Sequence, residues 1–241
     1  MLREHDITFA NRDVPELANA AVAKGLKKQL LGILKNEGDA KTPLTMTHLK
    51  VLFMDMVLGG TETTSNAIEF AMAEMMNKPE VMKKAQQELE TVVGKDSIVE
   101  ESHINKLPYL QAILKEVLRL HPVLSLMVLH CSSQTCIIGG YKIPKGARVF
   151  INVWVFGWKM GYKGADFNYF PFGSGRRMCA GIAMAERMFL FSLALILHSF
   201  DWKLPEEEKL DLLEKFGIVL KKKVPLMAIS TPRLSNPTLY E

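Results

Sequence analysis

The chain has 241 residues, a formal net charge of +4 and 48% hydrophobic content, enough for one sizeable core. So mild a charge, with no basic stripe and no aromatic–basic interleaving, argues against a nucleic-acid partner. Three cysteines, Cys131, Cys136 and Cys179, make no disulfide framework and suit a reducing compartment; Cys131 and Cys136 with His130 lack zinc spacing.

Residues 47–76 predict one long helix, with apolar or small side chains at Leu49, Leu52, Phe53, Met56, Gly60, Thr63, Ala67 and Ala71. Inside it lies Gly59-Gly60-Thr61-Glu62-Thr63-Thr64. Glycine in a helix interior costs roughly 1 kcal/mol relative to alanine, so two together need a reason. Gly60 and Thr63 share a face, where a missing side chain leaves room beside a hydroxyl, and Glu62 adds a carboxylate. Such a group could hold a diatomic ligand and relay protons to it. A kinked core helix with a cluster of threonines explains the same residues.

Pro108 opens the next predicted helix, which ends before His121-Pro122. Within it Glu116 and Arg119 stand at i and i+3 and can pair. Residues 136–154 predict a β-hairpin, with strands at Ile137-Ile138 and at 148–151. Its turn would be Ile143-Pro144-Lys145-Gly146, proline second.

The loop Phe172-Gly173-Ser174-Gly175-Arg176-Arg177-Met178-Cys179-Ala180-Gly181 precedes an apolar helical stretch, 182–197. A sulfur before a helix N-terminus and beside two guanidinium groups sits where negative charge is favoured. Glycines let the backbone approach that sulfur and something flat beside it, which is how a protein presents a thiolate to haem iron. Phosphate binding would need the Lys-Ser/Thr of a P-loop, which is missing. A nucleophilic cysteine would need a base, and nothing selects His121, His130 or His198. An inert cysteine leaves the arginines unexplained.

Residues 216–229 predict a second hairpin, with Lys221-Lys222-Lys223 as its solvated turn. The longest strongly apolar stretch, 188–197, is shorter than the roughly 20 residues of a bilayer span, so no transmembrane segment is predicted. Nor does an apolar signal peptide begin at Met1.

The spacing Phe172-x-x-Gly175-x-Arg177-x-Cys179-x-Gly181 resembles the haem loop of the cytochrome P-450 haem-thiolate monooxygenases. Gly59 to Thr63 and Glu116-x-x-Arg119 match that family's motifs upstream, in order. The resemblance implies a mainly α fold with small β-hairpins, in the part of the cytochrome P-450 fold that binds haem. It implies haem as cofactor, with Cys179 as the iron ligand. Phe172, Gly175, Arg177 and Gly181 would shape the cofactor loop, Arg177 meeting a propionate, and His130 is a second propionate candidate. Thr63 and Glu62 would manage oxygen and protons. Glu116 and Arg119 would form a buried structural pair completed by an arginine from a later loop. Substrate would meet Gly59, Val123, Leu124, Phe216 and Ile218, with Ser125 and Leu126 as further wall candidates.

The resemblance further implies O2, a small apolar substrate and a flavin-containing reductase as partners, at the cytosolic face of the endoplasmic reticulum. Residues 195–240 look like plant geraniol hydroxylases, hence a terpenoid-like substrate. The resemblance divides the chain into a remnant N-terminal segment, 1–30, and a haem-binding half, 31–241. The family's anchor helix has no counterpart here, which leaves a cytoplasmic location open. Shortening is expected at 20–29 and at 157–161, where the family's Pro-Glu-Arg-Phe-like segment is missing. A catalytically inactive remnant that binds haem or a partner is the alternative.

Overall fold

The computed structural model describes residues 5–8, 45–154, 170–206 and 210–240. Four α-helices carry the core: α1 (Met46–Asn77), α2 (Pro79–Val93), α3 (Pro108–Leu120) and α4 (Ile182–Ser199). The predicted helices are present: the one from Pro108 ends at Leu120 as expected, and those at 47–76 and 182–197 are longer by two residues each. Thr45 caps α1, its hydroxyl accepting from the His48 N–H at 3.3 Å while His48 Nδ1 accepts from the Thr45 N–H at 3.2 Å. α2 opens on Pro79 and stops at Gly94, whose φ of +88° a side chain would resist. α3 opens on Pro108, and the Glu88 carboxylate accepts from the Tyr109 and Leu110 N–H groups at 2.7 and 3.0 Å. A negative charge there satisfies orphan donors and complements the helix dipole.

The core sits where the C-terminal half of α1 meets the other three helices. Ala67, Ala71 and Ala73 are small enough for close approach, while Phe70, Leu110, Leu114, Phe189, Leu193 and Leu197 fill the volume between. The first half of α1 is different: Val51, Leu52, Met54, Met56 and Leu58 are exposed. Among the described residues one helix, α4, is long and apolar enough by length and composition to cross a membrane. It thus exceeds the apolar stretch 188–197 picked out above. Its Phe189, Leu190, Leu193, Ala194 and Leu197 are buried in the core, which accounts for that composition.

Among the described residues, nine short strands form small antiparallel sheets. β1 (His5–Thr8), β9 (Met227–Pro232) and β6 (Phe200–Lys203) make a three-stranded sheet in the order β1-β9-β6, with His5 opposite Ser230 and Trp202 opposite Ser230 on the other side. The other pairs are β2 (His130–Cys131) with β5 (Arg148–Val149), β3 (Cys136–Ile138) with β4 (Tyr141–Ile143), and β7 (Glu214–Lys215) with β8 (Lys221–Lys222).

Both predicted hairpins are corrected in their pairing. Ile137-Ile138 does not pair with 148–151; it turns back at Gly139-Gly140, whose φ values of +57° and +85° suit a two-residue hairpin turn. Arg148-Val149 pairs instead with Cys131 and His130. The turn after β4 holds, but the Ala147 N–H donates to the Pro144 carbonyl, so proline is first in it and Gly146 (φ +82°) third. At the other end, residues 216–220 are the loop, and Lys221 and Lys222 belong to a strand. Lys222 is 4% exposed, its ammonium donating to the Asp211 carbonyl, so that lysine is no solvated turn. Residues 227–232 pair with β1 and β6 rather than with 216–220.

The boundary expected near residue 30, the junction at 20–29 and the one at 157–161 lie outside the described residues.

Candidate functional site

The Cys179 loop is held by its own backbone. The Gly173 N–H donates to the Phe170 carbonyl at 2.9 Å, turning the chain, and Gly173 takes φ +75° to do so. Gly175–Arg177 then form one 3-10 turn, begun by Gly175 at φ +67°, and the Met178 N–H closes it on the Gly175 carbonyl at 3.2 Å. The Cys179 N–H donates back to the Phe172 carbonyl at 2.9 Å. Gly181 caps α4, its carbonyl accepting from the Ala185 N–H at 2.8 Å. Pro171 is buried and Phe172 packs against the core, so the loop is anchored at its start and at its end.

The result is a sulfur presented outward. Cys179 is a free, exposed thiol two residues before the α4 cap. Met178 and Met184 beside it in sequence are exposed as well, as are Arg176 and Arg177. A side chain at Gly181 would put its Cβ 3.7 Å from the sulfur, so glycine keeps that approach open. Among the described residues no group of three or more His, Cys, Asp or Glu side chains could hold a metal ion. The exposed Cys179 thiol fits a metal that brings most of its own ligands and needs one sulfur from the protein, as haem iron does. Exposed apolar side chains and two guanidinium groups fit the macrocycle and its carboxylates.

On α1 the Thr63 hydroxyl donates to the Gly59 carbonyl at 2.7 Å. Ser65 donates likewise to the Thr61 carbonyl at 3.0 Å, and the Asn66 amide to the Glu62 carbonyl at 2.7 Å. Three side chains within four positions thus bond back onto the helix, a pattern that loosens its ladder. Nothing lies within 4 Å of a Cβ built on Gly59 or Gly60, so the helix surface there is open. Both sequence readings survive locally: the open surface is there, and the threonine hydroxyl is engaged with backbone. α1 packs against α4, the helix that the Cys179 loop leads into.

Glu116 and Arg119 form a bidentate pair on α3, Nε to Oε2 at 2.7 Å and Nη2 to Oε1 at 2.6 Å. The expectation of a buried pair is corrected: the Glu116 side chain is 53% exposed. The inner face of α3 is taken by Leu110, Ile113, Leu114, Val117 and Leu118, so this pair rides the outer face and water solvates it. The hydrogen bond from Arg119 holds the Glu116 carboxyl below its ordinary value, outweighing partial burial. Of the stretch expected to lack the third partner, residues 155–169 lie outside the described residues.

His130 stands in β2, half-buried, with Nδ1 2.7 Å from the Val128 carbonyl, to which that nitrogen donates. Val123 belongs to the core cluster, and Leu124 is half-buried beside it. The Leu220 N–H donates to the Val123 carbonyl at 2.7 Å, so two of the predicted substrate segments do meet. Phe216 and Ile218 stand 65% and 89% exposed on the β7–β8 loop. Ser125 is buried and donates to the Pro122 carbonyl at 3.0 Å.

Sequence reasoning missed a buried polar cluster behind these segments. His121 lies with Nδ1 2.7 Å from Glu214 and Nε2 3.1 Å from Glu74, its ring stacked on Phe70. Glu69, buried on α1, accepts from the Leu226 N–H at 2.8 Å; burial raises its carboxyl above the ordinary range despite that bond and nearby Lys222. Burial also lowers the Lys222 ammonium, against the pull of Glu69, Asp211 and Glu74. No local pattern carries this cluster, because its members come from four separate elements.

The family model described as cytochrome P-450 matches residues 10–159 and 156–228. Its two pieces meet at 156–159, within the stretch where shortening is expected. A flavonoid 3'-monooxygenase of Crocosmia x crocosmiiflora is 37% identical, over 97% of this chain and 51% of its own length. A geraniol 8-hydroxylase of Swertia mussotii is 39% identical, over 87% of this chain and 47% of its own. Among solved structures, a zebra fish cytochrome P-450 determined with abiraterone superposes with a TM-score of 0.75 at 28% identity, covering 91% of this chain and 59% of that one. The chain spans about half the length of the curated relatives it matches. Matched by that model across most of its residues, and by a solved relative in its fold, the chain belongs to the cytochrome P-450 family.

Proposed function

We propose that residues 31–241 are the haem-binding half of a monooxygenase that inserts one oxygen atom of O2 into a small apolar plant metabolite. The second oxygen atom leaves as water, with two electrons from a flavin-containing reductase and two protons. The carrying observation is the outward-facing Cys179 thiol on a loop fixed by the Phe172 carbonyl and the Gly181 cap. The family's cofactor is a haem with an axial thiolate; when bound it supplies the oxygen chemistry. Cys179 would hold the iron, the Phe172, Gly175 and Gly181 backbone would shape the loop, and Arg177 and the His130 Nε2 would meet propionates. The Thr63 hydroxyl, released from the Gly59 carbonyl, would donate to the oxygen ligand and Glu62 would hand on protons. Gly59, Val123, Leu124, Phe216 and Ile218 would face the substrate.

The terpenoid class expected from sequence widens at this point. Relatives named for flavonoids match as well as one named for geraniol, so the substrate class is a small apolar plant metabolite of either kind. By family the protein would work at the endoplasmic reticulum. A second reading, a chain that binds haem without turnover, is favoured by the exposed first half of α1 and the half-exposed Glu116.

The test is spectroscopic. The chain, loaded with haem, is reduced under carbon monoxide and its absorption recorded. A strongly red-shifted Soret band is expected from a thiolate-ligated iron; haem uptake without that shift, or no uptake, overturns the proposal. Substrate-dependent oxygen consumption with a plant reductase then separates the enzyme from the silent haem binder.

A further inference from the structure

We propose that His121 is a positioning residue, a two-handed clamp that fixes the β7–β8 tip carrying Phe216 and Ile218 against helix α1. The clamp stands on geometry alone; the tip's substrate role rests on the function proposed above.

His121 ends α3, its N–H donating to the Val117 carbonyl at 2.8 Å. Its side chain is 9% exposed. The ring lies flat on Phe70 of α1, centroids 4.1 Å apart and planes 7° from parallel. Stacking fixes the ring plane, and so decides where both nitrogens point. Nδ1 points at Glu214 Oε1, 2.7 Å away on β7, and Nε2 at Glu74 Oε1, 3.1 Å away on α1. A carboxylate only accepts, so holding both at these distances takes a ring that donates from both nitrogens.

Neither carboxylate depends on His121 alone. Glu74 Oε2 lies 3.8 Å from the Lys78 ammonium, and Glu214 Oε2 accepts from the Trp154 Nε1–H at 3.3 Å. Lys222 on β8 is the further cation facing Glu74, shared with Glu69. The carboxylates Glu69, Glu74 and Glu214 are thus set among His121, Lys78 and Lys222. A neutral ring would set a lone pair against one carboxylate and release that hand of the clamp.

The tip needs such an anchor because nothing buries its own side chains. Phe216 and Ile218 stand in solvent, so their position is decided by the two ends of the loop. The outgoing end is tied by Leu220 to the Val123 carbonyl at 2.7 Å and by Leu226 to Glu69 at 2.8 Å. The incoming end pairs with β8 and is tied to the helices at Glu214, through His121, with the Trp154 Nε1–H on the same carboxylate.

The experiment is amide hydrogen exchange, read by mass spectrometry on the full chain and its His121→Gln and Glu214→Gln variants. Each variant is expected to exchange at least about tenfold faster over residues 213–222, the loss of one charge-assisted bond, while α1 and α4 keep their protection. The double variant should exchange no faster than His121→Gln alone, because Glu214 joins the clamp through that ring. Unchanged exchange at 213–222, or equal loosening of α1 and α4, overturns the clamp. Nitrogen-15 histidine spectra provide the second readout. The His121 signal, identified by its loss in His121→Gln, should move in Glu214→Gln and in Glu74→Gln, since each carboxylate lies against one ring nitrogen; a signal that neither variant moves overturns the clamp. Neither measurement needs haem, so failure of the clamp and failure of the monooxygenase proposal are told apart. In a haem-loaded, active chain, His121→Gln should raise KM for an apolar substrate more than it lowers kcat. A fall in kcat alone would remove the tip's substrate role.

Discussion

The Cys179 N–H donates to the Phe172 carbonyl at 2.9 Å, closing the loop on itself seven residues after it leaves the core. That bond belongs to the backbone, so the loop keeps its shape without the sulfur. Cys179→Ala should therefore change stability by less than about 0.5 kcal/mol, as an exposed substitution does. The same variant should lose the red-shifted carbon monoxide band completely. Urea unfolding and the reduced spectrum check the two halves; a band that survives the substitution removes Cys179 as the ligand.

Gly175 sits at φ +67° with nothing within 4 Å of where a Cβ would stand. The cost of a side chain there is conformational, with no clash to relieve. Gly175→Ala is expected to destabilise by about 1–2 kcal/mol and to weaken haem uptake with the loop. Gly181→Ala, at φ −93°, should leave stability nearly unchanged. Equal melting of the two variants in urea would show that the left-handed turn is not what the loop requires.

His198 and Glu69 make opposite contributions to pH dependence. Burial lowers the His198 imidazole below its ordinary 6.5, while Nε2 donates to the Ser97 carbonyl at 3.0 Å. The unfolded chain then binds the extra proton first, so stability is full above 6.5 and is lost as pH falls through the lowered folded value. Glu69 is raised above 4.5 by burial, so the folded chain holds the proton longer. Its contribution is present below 4.5 and is lost as pH rises through the raised folded value. Unfolding free energy measured against pH should flatten on the acid side of 6.5 in His198→Leu. In Glu69→Gln, which keeps an acceptor for the Leu226 N–H, it should flatten above 4.5 instead. Parallel profiles for both variants and the parent would contradict this assignment.

Two substitutions on helices should differ severalfold. Leu193 is fully buried in α4, and Leu193→Ala should cost about 2–5 kcal/mol. Glu116→Gln removes an ion pair whose carboxylate is 53% exposed, so screening limits its cost to under about 1 kcal/mol. Chemical denaturation gives both values. A larger loss at Glu116 would mean that the pair is buried by something beyond the described residues.

Helices were legible in the sequence because their signals are local. Pro108 opens a helix, and apolar spacing marks the inner face of α1. The hairpins were less so. Gly139-Gly140 is a turn signal as strong as Pro144, and choosing the second over the first misassigned the partner of Ile137-Ile138. The lysine run misled for another reason: a long aliphatic stem lets Lys222 be buried while its ammonium finds the Asp211 carbonyl.

By itself the sequence determined the glycine- and arginine-rich loop around Cys179, the glycine–threonine stretch of α1 and the Glu116–Arg119 pair, since each depends on residues within a few positions of one another. Only the tertiary structure decided that Glu116 faces water, that Leu220 is tied to Val123, and that His121 is gripped from both sides. Its two carboxylate partners lie 47 and 93 residues away in the chain. Residues that far apart meet only once helices have packed, and no spacing along the chain records which of them will.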